Sequence, residues 1–528
     1  MKKVLLLTIA FVSMIVISCN DNLLDTKNPN QITNDAFYTT LDQIGTSVNA
    51  IYAVLQGNRL VGREYFFIND LRSDEMKAGG GQLEVPRAQL LNGSHTYTNA
   101  VMTDVWRGLF TIVHRANVVI ASGGALTVEA GDQALLDRYI AEAKFLRGFA
   151  YYTLGALWGG VPLYDHPAAA FSDAKPRSTQ TETFDFALAD ANAASLVLPA
   201  VYTASDLGRV TKGAALTLAG KVNLCKGDYA AAKTALEGVK ALGIYSLVTN
   251  YFNNFTEETE YNSESVFEVG FLDTGYGWDA SGNGSAADSW VRSQEYSAVG
   301  WANLIPSDKL IAEYEDGDPR LTDSFWFPGD TYANGSRTLV LNDNNDNDPA
   351  TVNIAGDNMT SFEGNDLKIR WKKYSIMYKT DPGGFNVNVG INYRLWRYAD
   401  VLLLLAECEN EVGSTANAIG YLNQIRDRNS VSMPHYGTAT MDGAGFPVSS
   451  KDEIFKAIQH ERFVELAGEE IRNIDILRWR ANGKFPTTND EPISYFQQGK
   501  YEFLPIPQEE FNTNPNFTPA SQNPGYTN

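Results

Sequence analysis

"TKGAALTLAGKVNLCKGDYAAAKTALEGVKALG", residues 211–243, decides the fold. Its first half is alanine-rich, "KGDY" breaks it, and its second half sets Ala232, Ala235, Leu236 and Val239 on one face at helical spacing. Two small-residue helices joined by a tight turn within about 33 residues have the dimensions of a tetratricopeptide hairpin. Small side chains let the paired axes approach closely. The apolar face that remains needs a stacked neighbour, so one hairpin implies others.

Working outward, residues 398–428, "YADVLLLLAECENEVGSTANAIGYLNQIRDR", repeat the design. Ala406 and Cys408 end the first helix, and Ala418, Ile419, Leu422 and Ile425 line the second. Upstream, "DVWRGLFTIVHRANVVIA" and "QALLDRYIAEAKFLRGFAYYTLGALW" carry apolar residues at i, i+3, i+4 and i+7, which predicts two long helices with Trp106 and Trp158 in the core. "GGVPL" stops the second, since paired glycines suit a C-cap and Pro162 cannot continue a helix. Residues 451–479 read as one or two charged helices, and the proline- and asparagine-rich end as an extended tail.

Between the hairpins the pattern changes. "SVFEVGF" alternates like a short strand, and residues 275 to about 391 are rich in Gly, Asn, Asp and aromatics. A long irregular insertion in a compact protein is usually functional or disordered, and its rings argue against disorder. Within it, "GYGWDASGNGSAADSW", residues 275–290, has a linker's composition yet holds Tyr276, Trp278 and Trp290.

The N-terminus reads "MKKVLLLTIAFVSMIVISC": two lysines, an apolar run too short for a confident membrane span, then Ser18 and Cys19. "VISC" resembles a bacterial lipobox, a reading in which residues 1–18 are a signal peptide, Cys19 the lipidated start and 19–32 a polar tether; an ordinary secretory signal with a chance cysteine is the alternative. The net charge of −21 repels a phosphate backbone, and no basic run offsets it, so nucleic acid is excluded as a partner. Cys225 and Cys408, each inside a predicted helix, make no disulfide framework.

Several landmarks then coincide. "RANVVI", "EAKFLRGFAYYTLGALWGGVPL", "RYADVLLLLAECENEVG", "LNQIRDR", "ERFVELAGEEIRNIDILRW" and "LPIPQEEFNTNPNFTPASQNPGY" follow one another as in the SusD/RagB family of outer-membrane nutrient-binding lipoproteins, which the chain resembles. The resemblance implies a mainly α fold: about four tetratricopeptide-like helical hairpins, a loop-rich insertion bearing the ligand site and a few short strands. The body would run from 33 to 528, with hairpins at about 33–260 and 392–482, the insertion at about 261–391 and the tail at 483–528. It further implies a lipid-anchored outer-membrane protein facing the cell exterior, a glycan ligand, and docking onto a SusC-like TonB-dependent importer. A tetratricopeptide-type binder of peptide or protein, and an extracellular glycoside hydrolase, are the alternatives.

No nucleophile elbow, phosphate loop or HExxH motif occurs, and the five histidines lack metal spacing. "ERFVELAGEEIR" is rich in carboxylates, but Arg462 and Glu465 at i, i+3 suggest a helix ion pair and a structural network, so no catalytic residue is assigned. "NDNNDNDP" starts like a calcium loop at Asp343, Asn345 and Asn347, then fails at Asp348 and Ile354; no metal site or cofactor is assigned, and adventitious Ca²⁺ is the minority reading. Sugar binding needs exposed, rigid rings beside hydroxyl partners. Two regions supply candidates, in which each ring is either a ligand contact or a pin buried under the insertion: Asp70, Arg72, Asp74, Tyr97 and Asn99 early, and Tyr276, Trp278, Trp290, Gln294, Tyr296 and Trp301 in the insertion.

Overall fold

A computed structural model describes residues 37–526 except 169–170, 274–288, 342–347, 382–388, 486–492 and 494. The lipobox with Cys19, the rings Tyr276 and Trp278, and the first positions of the calcium-like loop lie outside the described residues.

Eight helices stack as four pairs: α1 (Leu41–Gln56) on α2 (Ala100–Ala125), α3 (Gln133–Trp158) on α4 (Gln180–Val197), α5 (Lys212–Cys225) on α6 (Tyr229–Ala241), and α7 (Tyr398–Val412) on α8 (Thr415–Arg426). Successive pairs also touch, α2 on α3, α4 on α5 and α6 on α7, so each covers its neighbour's apolar face. The starts are encoded locally. Thr40 with Gln43, and Thr179 with Glu182, form capping boxes, while Asp228 in "KGDY" accepts from the Ala231 amide. At Gly220 a Cβ would lie 2.7 Å from the Leu236 side chain, which is why α5 and α6 need a small residue there. Gly159, at φ 79°, caps α3 as "GGVPL" predicts, and Trp106 and Trp158 are buried. Cys408 is buried and Cys225 half-buried; both are free thiols, and burial pushes Cys225 up to about 12.

The charged stretch forms two helices, α9 (Lys451–Glu465) and α10 (Arg472–Ala481), with α9 packed on α7 and α8. The strand β2 (Ser265–Val269) pairs antiparallel with β4 (Tyr393–Arg397), and β1 (Met76–Ala78) with β3 (Leu304–Pro306). The insertion is therefore stitched to both halves of the helical array. The tail crosses the end of α3, where Leu504 donates to the Leu157 carbonyl at 2.8 Å and Trp158 Nε1 to the Pro505 carbonyl at 3.1 Å.

The acidic helix is structural, but not through the expected pair. Arg462 bonds Asp475 at 2.7 Å and Asp400 at 2.9 Å, while Glu465 meets Arg428 at 2.7 Å, Arg397 at 3.1 Å and Arg320 at 3.2 Å. Both helix residues turn inwards to different partners, because buried charges must find full compensation and an i, i+3 neighbour on an exposed face does not supply it. Glu264, Glu461 and Glu469 complete the cluster, whose side chains are almost wholly buried. Burial works to raise Glu264, yet Arg428 and Arg397 outweigh it and hold the carboxyl down at about 2.

His460 on α9 borders this cluster. Burial opposes its charged form, but bonds to Glu313 at 2.8 Å and Glu315 at 3.1 Å, with Glu461 nearby, lift it to about 8. A folded pKa above the unfolded value of about 6.5 contributes stability that is complete below that value and lost as pH rises through about 8. Chemical denaturation between pH 6 and 9 is expected to show the wild type losing on the order of 2 kcal/mol more than His460→Gln. Asp70, pushed up to about 7, slopes the same way, so the difference between the two proteins is the quantity to read. Parallel curves would refute the assignment.

Candidate functional site

The insertion and the loop after β1 together form one face from three segments. The first follows β1: Gly79 donates to the Asn303 carbonyl at 2.9 Å and leads into the exposed Gly81 and Gln82. The second is 298–303, carrying the half-buried ring of Trp301. The third is 355–359, where Ala355 donates to the Ala298 carbonyl at 2.7 Å, Asn358 N to the Gly79 carbonyl at 2.9 Å and Asn358 Nδ2 to the Ala78 carbonyl at 2.8 Å. Asp357, Asn358 and Met359 are exposed.

Two devices hold these segments. A Cβ on Gly79 would sit 1.7 Å from the Ala302 carbonyl oxygen, so only glycine permits this backbone approach. Behind the third segment the buried guanidinium of Arg370 donates to the Ala355 carbonyl at 2.9 and 2.6 Å and to the Asn358 carbonyl at 3.2 Å. Burial brings Arg370 down to about 10, where it remains charged at neutral pH and still draws the carbonyls inwards. Gly79→Val is expected to separate the three segments, speeding amide exchange at Asn358 and Ala355 by at least about tenfold while the helical array keeps its protection. Unchanged exchange would show that the approach is not restrictive.

Trp301 is braced from below. Its ring meets that of the buried Trp290 edge to face, 5.2 Å apart at 89°, and its amide donates to the Gln294 carbonyl at 2.8 Å. A ring fixed in this way stays partly exposed at little further entropic cost.

The structure corrects most of the expected ligand contacts. Trp290, Gln294 and Tyr296 are buried along the short helix Trp290–Tyr296, so they support the face instead of presenting it. Asp70 is buried, accepts from the Tyr296 hydroxyl at 2.7 Å, and is pushed up by that burial despite the nearby Arg292. Arg72 is buried with its Nη2 on the Tyr501 carbonyl at 3.1 Å. Asp74 is buried and neutralised by Arg472 at 2.8 Å and Lys309 at 2.7 Å, and Asn99 caps α2 by accepting from the Met102 amide. Charged and amide side chains at these depths are committed to internal partners. Tyr97 is half-buried beside the tail, where its carbonyl accepts from Gln508 at 3.0 Å. Of the expected set, Trp301 therefore stays on the face. Gly79, Gln82, Asp357 and Asn358 were not foreseen; the "GGG" run at 79–81 was the available signal.

A second feature lies along β2. Adjoining grooves of about 240 and 410 Å³ share Leu207, Arg209 and Tyr261, and the exposed side chains of Val201, Leu207, Ile244 and Leu272 line them. Among the described residues no cluster of His, Cys, Asp or Glu could hold a metal ion, and no helix is long and apolar enough to cross a membrane.

Comparison with known proteins agrees with this architecture. Residues 263–526 match the family model described as SusD family, and residues 22–224 the model described as starch-binding associating with outer membrane. A SusD-like protein of Formosa agariphila is 26% identical over 515 residues, covering 92% of each chain. A SusD-like protein of Bacteroides ovatus is 22% identical over 93% of this chain and 84% of its own. Among solved structures, a laminarin-binding SusD-like protein superposes with a TM-score of 0.72 at 23% identity over 93% of this chain and all of its own. Surface glycan-binding protein A from Bacteroides thetaiotaomicron, in complex with laminarihexaose, superposes at 0.70 with 22% identity over 91% of this chain and 99% of its own.

Proposed function

The chain belongs to the SusD family, and from that premise we propose that it is a non-catalytic cell-surface lipoprotein that captures oligosaccharide on the Trp301 face and passes it to a SusC-like outer-membrane importer. The observation that carries this reading is the braced, partly exposed ring of Trp301 on a segment whose backbone lies against Gly79, with Gln82, Asp357 and Asn358 exposed on the adjoining segments. A pyranose offers an apolar C–H face to such a ring while its hydroxyls bond the neighbouring polar groups. Lipid attachment at Cys19 would hold the protein at the outer membrane, with residues 19–32 as tether.

A hydrolytic role finds no support, since a glycosidase needs two carboxyl groups free to act on either side of the bond. The carboxylates of "ERFVELAGEEIR" are buried in the arginine cluster or beside Arg292. The exposed apolar residues along β2 favour a protein partner on that flank, which is consistent with docking onto an importer.

Affinity electrophoresis against starch, laminarin and other soluble polysaccharides tests the reading. Retardation in at least one gel, with no sugar released from it, is expected. No retardation in any of them, or release of product, would refute it.

A further inference from the structure

The short helix Trp290–Tyr296 does more than fill space. Its Arg292 guanidinium lies 3.6 Å from the centre of the Tyr374 ring and 4.0 Å from that of Tyr393, with Tyr296 at 5.1 Å and Phe66 at 5.7 Å. Nη2 donates to the Gly468 carbonyl at 2.9 Å and to Glu470, while Nε and Nη1 have no acceptor among the described residues. The ring faces therefore carry much of the attraction that a buried cation requires.

Two of its partners sit in uncommon backbone conformations. Tyr374 and Glu470 both have φ of 58°, a left-handed region that costs a bulky residue steric energy. Such strain persists only where surrounding contacts enforce it, and it concentrates where geometry serves function. Here both strained residues meet on one guanidinium. The helix it anchors supplies the Gln294 carbonyl that accepts the Trp301 amide at 2.8 Å and the Ala302 amide at 3.3 Å, and the Trp290 ring beneath Trp301. Ala302, at φ 48°, is itself left-handed, so the strain reaches the glycan face.

We propose that Arg292 is a positioning residue for glycan capture: its aromatic cage fixes the Trp290–Tyr296 helix, which in turn fixes the angle and height of the Trp301 ring. This rests on Trp301 being the stacking platform. A lysine at this position keeps the charge but loses the planar fork that fills the space between two rings.

The test uses the full chain as wild type, Arg292→Lys, Trp301→Ala and the double variant. Arg292→Lys is expected to keep the helical array's exchange protection, to speed exchange at the Trp301 and Ala302 amides about tenfold, and to weaken retardation by starch or laminarin about tenfold. Combined with Trp301→Ala it should add nothing, because both changes remove the same platform. Losses that multiply, or wild-type affinity in Arg292→Lys, would overturn the proposal. Should Arg292→Lys fail to fold, Tyr393→Leu removes one wall of the cage and is read by the same criteria. If the wild-type protein is retarded by no polysaccharide, the functional reading fails. The exchange measurement then judges Arg292 alone: faster exchange at Trp301 supports the anchoring role, and unchanged exchange overturns it.

Discussion

Glu465→Ala is expected to destabilise the protein by about 3–5 kcal/mol, the largest effect of any single substitution considered. Its carboxylate accepts from Arg397, Arg428 and Arg320, whose side chains are all buried. Removing one negative charge leaves Arg320, Arg397 and Arg428 to share Glu264, Glu461, Glu469 and Asp318 with Arg426 and Lys373. The cluster joins α9 to β4, to the end of α8 and to the segment holding Arg320, so the loss is felt across the junction between array and insertion. Calorimetry is expected to show a Tm lowered by about 5–10 °C, with a smaller fall for Glu465→Gln, which keeps the volume and some hydrogen bonding. A change below about 1 kcal/mol would mean that the remaining carboxylates suffice.

Trp301→Ala is expected to lower polysaccharide affinity by about 10- to 100-fold while leaving global stability nearly intact. The ring is partly exposed at the edge of the core, so truncating it forfeits less internal packing than losing a fully buried tryptophan would, but it removes the apolar surface on which a sugar would stack. Trp301→Phe keeps a smaller face and should fall between. Trp290→Ala makes a useful contrast: the residue is buried, so its loss should cost stability first and affinity through it. Affinity electrophoresis and thermal unfolding on the same preparations separate the two. Wild-type affinity in a folded Trp301→Ala protein would remove the face from consideration.

Much of the architecture was legible before any coordinates. Helical periodicity located α2, α3, α5 to α8 and the charged pair α9 and α10, "GGVPL" and "KGDY" marked real ends, and "SVFEVGF" was a strand. These signals lie within one or two turns of chain, where caps, small residues and apolar spacing act directly on the backbone. The candidate site was legible only as a region. Residue type pointed to rings and polar groups near 70–99 and 276–301, yet Trp290 and Trp301, eleven positions apart and chemically identical, take opposite parts. Nothing local distinguishes them, because exposure depends on which distant segments cover each ring.

The arginines make the same point from the other side. Period and composition, properties of a continuous stretch, sufficed to mark residues 398–428 as a helical hairpin and 451–479 as charged helix. Only the tertiary structure decided that Arg462 takes Asp400 and Asp475, that Glu465 takes Arg320, Arg397 and Arg428, and that Gly79 lies against Ala302. Charge pairing in a low-dielectric interior is settled by whichever groups packing buries together, and those groups come from segments 13 to 145 residues apart.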